Sequence, residues 1–164
     1  MKLSIVVPCY NEEKNIPLIL DEFSNVIKRD DIEIIILNNG STDGSANVIK
    51  NLLPNYNFAR SVNIEINQGY GFGILSGLKE AKGEYVGWTH GDMQTPASDV
   101  LKALEIIEKN DNPKNIYVKG GRIGRPLIDQ FFTFGMSIFE SIYFGSLFYD
   151  INAQPNIFHR SFFE

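Results

Sequence analysis

The sequence predicts an α/β domain built on a mostly parallel central sheet flanked by helices. Three observations predict it. Short apolar runs alternate along the chain with segments of helical periodicity, the pattern left by strands joined through right-handed helical crossovers. Leu3 to Val7 and Ile32 to Leu37 are largely apolar at both parities, as strands covered on both faces are. The densest turn sequences, Asn38-Asn-Gly-Ser-Thr-Asp-Gly44 and Asn67-Gln-Gly-Tyr-Gly-Phe-Gly73, each follow a strand-like run.

The elements follow in order. Leu3 to Val7 is a buried strand that Pro8 ends. Asn11 or Glu12 opens a helix whose Ile16, Ile19, Leu20, Phe23, Val26 and Ile27 recur at helical spacing. Ile32 to Leu37 is the second buried strand, and Ser45 to Leu53 a short helix closed by Pro54. Ser61 to Ile66 is a third strand; Asn67 to Gly73 then leads into a helix that runs to about Lys82, with Gly83 as its stop. Glu84 to Thr89 is the fourth strand, Ala97 to Lys109 an amphipathic helix through Val100, Leu101, Leu104 and Ile107, and Asn115 to Lys119 a further strand. The aromatic stretch 127–149, with Phe131, Phe132, Phe134, Phe139, Tyr143, Phe144, Phe148 and Tyr149, reads as one or two helices.

Composition excludes several classes. The 164 residues suffice for one domain with a real core. A net charge of −5 leaves no basic field for nucleic acid. The single cysteine, Cys9, forbids an internal disulfide and fits a reducing compartment. No signal peptide and no apolar run long enough to span a bilayer is visible. The expectation is a cytoplasmic protein, acting at the cytoplasmic face of a membrane, whose natural chain continues past Glu164. The aromatic stretch is core, a homodimer surface or a face for peripheral membrane contact.

The richest site is Trp88-Thr-His-Gly-Asp-Met-Gln-Thr-Pro96. In an extended segment residues two apart point the same way, so His90, Asp92 and Gln94 converge at a strand end. Imidazole, carboxylate and amide oxygen suit a divalent cation such as Mn2+ or Mg2+, and strand ends of open α/β sheets are where phosphorylated ligands bind. The plainer reading is a strand-end turn with bonded polar groups. Asn38 to Asp43 stands at a comparable strand end, where carboxamides can pair with a nucleobase or ribose; the plainer reading is a turn in which Asp43 or Ser45 caps the next helix. Gly69, Gly71 and Gly73 either cradle phosphate at a helix N-terminus or allow close helix-to-sheet packing. Arg122 and Arg125 form a basic patch suited to phosphate, or a solvated loop. The first strand-to-helix turn lacks the glycines of a dinucleotide fingerprint.

In combination, Ile5-Val-Val-Pro-Cys-Tyr-Asn-Glu-Glu13, Glu33 to Gly44, the block Asn67 to Pro96 and, more weakly, Asp150-Ile-Asn-Ala-Gln-Pro-Asn-Ile-Phe-His-Arg160 resemble glycosyltransferase family 2, in the branch similar to dolichyl-phosphate mannose synthase. The resemblance implies the GT-A, nucleotide-diphospho-sugar transferase fold over residues 1–164, with 1–89 the nucleotide-binding half and 90–164 the metal loop and acceptor-side half. It implies an inverting, metal-dependent transfer from a UDP or GDP sugar, in polysaccharide or glycolipid biosynthesis. Pro8, Tyr10, Asn11 and Glu13 would line the base and ribose pocket, Asn38 the base edge, with Asn39, Gly40, Ser41, Gly69 and Gly71 around the donor. Asp92 would hold the metal with Gln94 beside it and His90 as a further ligand; Arg122 would meet phosphate, and Asp150 would be a base or positioning group. Two departures stand out: Asn38 and Asn39 replace the family's usual Asp, and His90 replaces the first Asp of D-x-D, which weakens Mg2+ and favours Mn2+. The implied acceptor is a polyprenyl phosphate or another membrane-borne glycan acceptor. The alternatives are a soluble or glycan hydroxyl acceptor, or a catalytically impaired nucleotide-sugar-binding domain.

Overall fold

The computed structural model describes residues 1–122, 127–147, 149–150 and 152–163. Arg125 and Phe148, singled out above, lie outside the described residues, as does Ile151. Among the described residues six strands form one sheet: β1 (Leu3–Cys9), β2 (Ile32–Asn39), β3 (Ala59–Ile64), β4 (Tyr85–Trp88), β5 (Tyr117–Lys119) and β6 (Asn156–His159). The helices are α1 (Asn15–Val26), α2 (Ser45–Leu52), α3 (Tyr70–Glu80), α4 (Ala97–Glu108) and α5 (Leu127–Phe144). The strand order is β3-β2-β1-β4-β6-β5. β1 is parallel to β2 and β4, β2 is parallel to β3, and β6 is antiparallel to both β4 and β5. The chain winds outward from β1 to β3, then returns through α3 to lay β4 on the other side of β1. That reversal makes a switch point, where open α/β sheets hold ligands beyond the carboxyl ends of their strands.

Strand alternation divides the core in two. Leu3, Ile5 and Val7 of β1 and Ile32, Ile34 and Ile36 of β2 pack with Ile16, Ile19, Leu20 and Phe23 of α1, Ile49 of α2 and Val100, Leu104 and Ile107 of α4. Val6, Ile35, Leu37, Val86 and Phe158 face the other way, onto Ile74 and Leu78 of α3. The apolar parities read from the sequence are this two-sided burial.

Several boundaries differ from the sequence reading, for local reasons. Pro8 does not end β1; it pairs with Leu37, beyond the β4 ladder, which stops at Val6 and Trp88. α1 starts at Asn15 rather than at Asn11 or Glu12, because Asn11 has φ 57° and belongs to a loop. β3 begins at Ala59 and ends at Ile64, leaving Ile66 exposed. α3 ends at Glu80, where the Ala81 N–H bonds the Leu78 carbonyl, and Gly83 instead donates its N–H to Ser4 Oγ. Pro113–Asn115 is a 3-10 turn that shortens β5. β6 was not anticipated.

One buried carboxylate ties the base of the sheet. Glu33, 6% exposed, accepts from Ser4 Oγ at 2.5 Å, Arg60 Nε at 2.8 Å and the Lys82 N–H at 3.0 Å. Burial pushes its carboxyl up, but the hydrogen bonds from Arg60, Ser4 and Lys82 outweigh this and hold it below the ordinary 4.5. Its stabilisation is therefore present above that value and fades as pH falls through the depressed folded value. Replacing Glu33→Gln leaves Arg60 without its counter-charge and should cost about 1–3 kcal/mol in urea unfolding at neutral pH. The gap to the native chain should close on acidification; a constant gap from neutral pH to pH values well below 4.5 contradicts the assignment.

Candidate functional site

Two loops at the carboxyl edge are laced together. The Asn11 N–H donates to Ser41 Oγ at 3.1 Å, and the Thr42 N–H donates back to Asn11 Oδ1 at 2.8 Å. Glu12 N–H reaches Ser45 Oγ at 2.9 Å, Glu13 N–H reaches Asp43 Oδ2 at 3.3 Å, and the Gly44 N–H donates to Glu13 Oε2 at 2.9 Å. Asn11, Glu13 and Ser41 thus brace the β1–α1 loop against the β2–α2 loop. Asp43 also accepts the Ser45 N–H, but neither Asp43 nor Ser45 is the helix cap expected from the sequence: the cap position of α2 is Gly44, with no side-chain cap bond. Tyr10 keeps its ring 47% exposed beside this lacing, a free surface for stacking.

Adjacent strand residues point to opposite faces, so Asn38 and Asn39 do different work. Asn38 Oδ1 accepts the Ser41 N–H at 3.2 Å, and Asn38 lines a cavity of about 480 Å³ with Gly40, Ser41, Ser61, Asn63 and Lys50. That size is in the range of small-molecule pockets. Asn39 faces α3. Its Nδ2 donates to Gly69 O at 3.2 Å and Asn67 Oδ1 at 3.4 Å, while its Oδ1 is buried without a partner. Asn39 is a brace for the glycine loop, and a carboxylate there would meet two acceptors. Gly40, at φ 69°, lies so close to this loop that a Cβ would stand 2.4 Å from the Asn67 nitrogen.

The glycine cluster divides between its two readings. Gly73 packs on Asn39 and Leu37, whereas the space around Gly69 and Gly71 is open. The Gly69 N–H is taken by Asn67 Oδ1 at 2.7 Å, but no N-cap side chain satisfies the first turn of α3, whose N–H groups lie at the carboxyl edge of the sheet.

The 89–96 loop departs from the expectation in one respect. Residues 91–93 form successive bends and Met93 has φ 63°, so the every-second-residue rule for an extended chain does not apply to His90, Asp92 and Gln94. Among the described residues no group of three His, Cys, Asp or Glu stands close enough to hold an ion. Asp92 and Gln94 are joined directly, the Gln94 N–H donating to Asp92 Oδ1 at 3.1 Å. Gly91 lets the loop lie close against β1: a Cβ there would lie 2.6 Å from the Pro8 carbonyl oxygen. Beneath it, Thr89 Oγ1 is buried without a hydrogen-bond partner.

Asp150 and Arg122 are engaged with each other. Arg122 Nε donates to Asp150 Oδ1 at 2.8 Å, its N–H to Oδ2 at 3.0 Å, and its second guanidinium nitrogen also reaches Oδ1. Burial pushes the Asp150 carboxyl up, but these bonds and the nearby cations hold it below the ordinary range. It is therefore a weaker base than a free carboxylate.

Sequence reasoning missed a contact between the halves. Tyr70, the first residue of α3, accepts from Gln154 Nε2 at 2.6 Å, and Gln154 Oε1 is buried without a partner. Tyr70 lies in the glycine loop and Gln154 in the Asp150 to Arg160 motif, but their pairing across 84 positions leaves no local signal.

The sequence profile described as Glycosyl transferase family 2 matches residues 4–157. Dolichyl-phosphate beta-glucosyltransferase ALG5A of Trichomonas vaginalis is 36% identical over 114 residues, 65% of this chain and 34% of that protein. S. aureus TarS 1–349, crystallised in complex with UDP-GlcNAc, is similar at TM-score 0.58 and 26% identity over 66% of this chain and 32% of its own. Glucosyl-3-phosphoglycerate synthase from Mycobacterium tuberculosis, in complex with UDP, shares the fold at TM-score 0.71 and 19% identity, over 98% of this chain and 57% of its own. The fold is thus the GT-A fold that the sequence resemblance implied. The chain spans about a third of the length of the curated relatives it matches.

The lacing of Asn39 makes a direct prediction. Asn39→Asp sets a buried carboxylate against Gly69 O and Asn67 Oδ1 and should destabilise the fold by about 1–3 kcal/mol at neutral pH. The variant carboxyl will titrate above the ordinary range, so the loss is relieved as pH falls and the acid regains a proton to donate. Melting temperatures of both proteins across pH check this; an unchanged melting temperature at neutral pH refutes it.

Proposed function

This chain belongs to glycosyl transferase family 2, and we propose that it transfers a sugar, with inversion, from a nucleoside diphosphate sugar to a polyprenyl phosphate or another membrane-borne glycan acceptor. The observation that carries the acceptor is the capture of Asp150 by Arg122. A hydroxyl acceptor needs a general base, and the motif carboxylate that could serve is bound and weakened. A phosphate monoester arrives already anionic and needs none. The relative named a dolichyl-phosphate beta-glucosyltransferase acts, by that name, on such an acceptor.

The donor's nucleoside would meet the exposed Tyr10 ring and the amide of Asn38, with Ser41 and Gly40 lining the approach. Its diphosphate would lie between the α3 N-terminus, where the space around Gly69 and Gly71 is open, and the loop carrying Asp92, with the N–H groups after Gly69 as donors, since the Gly69 N–H is taken by Asn67. The oxygen donors here suit a hard divalent cation. They comprise one carboxylate, the Gln94 amide and the orphaned Thr89 hydroxyl. With no three-residue cluster among the described residues, such an ion would be shared with the donor's phosphate oxygens. Asp92 and Gln94 would hold it, Mn2+ in preference to Mg2+, and when bound it supplies charge against the departing diphosphate. The amides of the α3 N-terminus orient and stabilise the same leaving group. His90 is a half-buried neighbour of this loop, the weaker candidate ligand.

Membrane contact through 127–149 fits the surface of α5. Phe131, Phe132, Phe139, Ile142 and Tyr143 are all more than two-thirds exposed, and Leu147 is fully so. No helix among the described residues is long and apolar enough to cross a membrane, so the contact would be peripheral. Phe139→Asp with Ile142→Asp should abolish co-sedimentation with anionic liposomes and leave nucleotide binding intact. Native protein that never sediments removes this part of the proposal.

Transfer itself is tested with UDP and GDP sugars, Mn2+ and a short polyprenyl phosphate. One nucleoside diphosphate should raise the melting temperature in the presence of Mn2+. Asp92→Ala should lower turnover about 100-fold or more at unchanged melting temperature of the free protein. Full activity of Asp92→Ala excludes its proposed role, and an absence of nucleotide binding by native protein excludes the transferase reading in favour of a different ligand.

A further inference from the structure

The pairing of Tyr70 with Gln154 has no part in the donor site described so far. Tyr70 opens α3, directly after Gly69 at φ 100°, and its ring is 48% exposed. Its phenolic oxygen takes the Gln154 amide N–H at 2.6 Å. A phenol has one proton and can also accept. Because a lone pair is committed to Gln154, the O–H is left to donate elsewhere. Gln154 is held in turn by its backbone: its Oε1 is buried, and its carbonyl and the next peptide press on Gly120, whose N–H bonds the Pro155 carbonyl at 2.8 Å. The amide is thus a fixed support, and the phenol it aims stands at the mouth of the uncapped helix, within electrostatic range of Asp92.

On the reading of the site given above, we infer that Tyr70 is a phosphate-binding residue, its O–H aimed by Gln154 at a phosphoryl oxygen held between the α3 N-terminus and Asp92. An anion there meets backbone N–H groups from one side and the phenol from the other, and a hydrogen bond to a charged oxygen is stronger than one between neutral groups. Burial, with the Asp92 charge, pushes the phenol's titration up against the lowering effect of the Gln154 bond, so the donor keeps its proton at neutral pH. Gln154 is a positioning residue, acting only through Tyr70. The pair also ties the donor half to the acceptor half, so the phosphoryl group bound is either the donor's diphosphate or the acceptor's phosphate.

Tyr70→Phe removes the one hydroxyl and keeps the ring. Native protein is first titrated with UDP, GDP and the matching nucleosides in Mn2+; if it binds none, the site reading and this inference fall together. Given binding, Tyr70→Phe should weaken the nucleoside diphosphate about tenfold or more and leave the nucleoside and the melting temperature unchanged, which a structural role would not do. Gln154→Leu should weaken it less. If diphosphate affinity holds but the KM for farnesyl phosphate rises about tenfold, the bound phosphate is the acceptor's. If neither changes, the inference is wrong while the donor site stands.

Discussion

β1 is paired on both sides only as far as Val6, and the cleft depends on this. Beyond that residue β2 continues alongside to Asn38, whereas β4 stops at Trp88 and its chain swings away. The Thr89 N–H still bonds the Val6 carbonyl, and a Cβ at Gly91 would lie 2.6 Å from the Pro8 carbonyl oxygen, so the departing loop runs close against the strand it leaves. Asp92 is thereby held at the edge of the sheet without being part of any ladder. A residue larger than glycine at 91 would push the loop off β1 and carry Asp92 with it. The crevice is a consequence of unequal strand lengths around one central strand.

The charges of this edge are sorted by the partners they already have. Glu13 and Asp43 are used by backbone N–H groups of the facing loops, and Asp150 by Arg122. Asp92 accepts the Gln94 N–H from its own loop. If a chain of net charge −5 is to bind a diphosphate, it must offset repulsion locally. Here the local positive potential comes from the N-terminus of α3, where the first N–H groups lack caps. Neutral donors would carry the rest: the Tyr70 O–H and the Asn38 amide add no charge, with Gln154 acting only through its bond to Tyr70.

What the sequence revealed, and what it hid, follows from the range of the interactions involved. β1 and β2 were legible because two-sided burial makes both parities apolar, a signal contained within each strand. α4 was legible through its 3.6-residue period. β6 was not, because four residues with polar ends gain their strand identity from β4 and β5, tens of residues away. The start of α1 was misplaced because Asn11 has the composition of a cap and instead turns to φ 57° to reach Thr42. The alternation drawn for His90, Asp92 and Gln94 assumed extended backbone, which a left-handed Met93 interrupts. At the site, residue types were readable and their partners were not: nothing near Asp150 names Arg122, and nothing near Asn39 names Gly69.

α5 inverts the usual order of a surface helix. A helix lying on a globular domain turns its apolar stripe inward. Among the described side chains of α5, Ser137 is buried, at 5% exposure, and Thr133, Glu140 and Ser141 beside it are partly covered. Phe131, Phe132, Phe134, Met136, Ile138, Phe139, Ile142 and Tyr143 look outward, over an arc of about 200° at 100° per residue. Core formation alone does not favour this arrangement, since burying the aromatic arc against the sheet would release more than burying serines. Removing the outer arc from water would stabilise this arrangement. A lipid surface would do so while bringing a lipid-linked phosphate toward Lys119 and Arg122, which stand just ahead of the helix in sequence. The helix and the anion-binding edge would then share one ligand, its hydrocarbon on one side and its phosphate on the other.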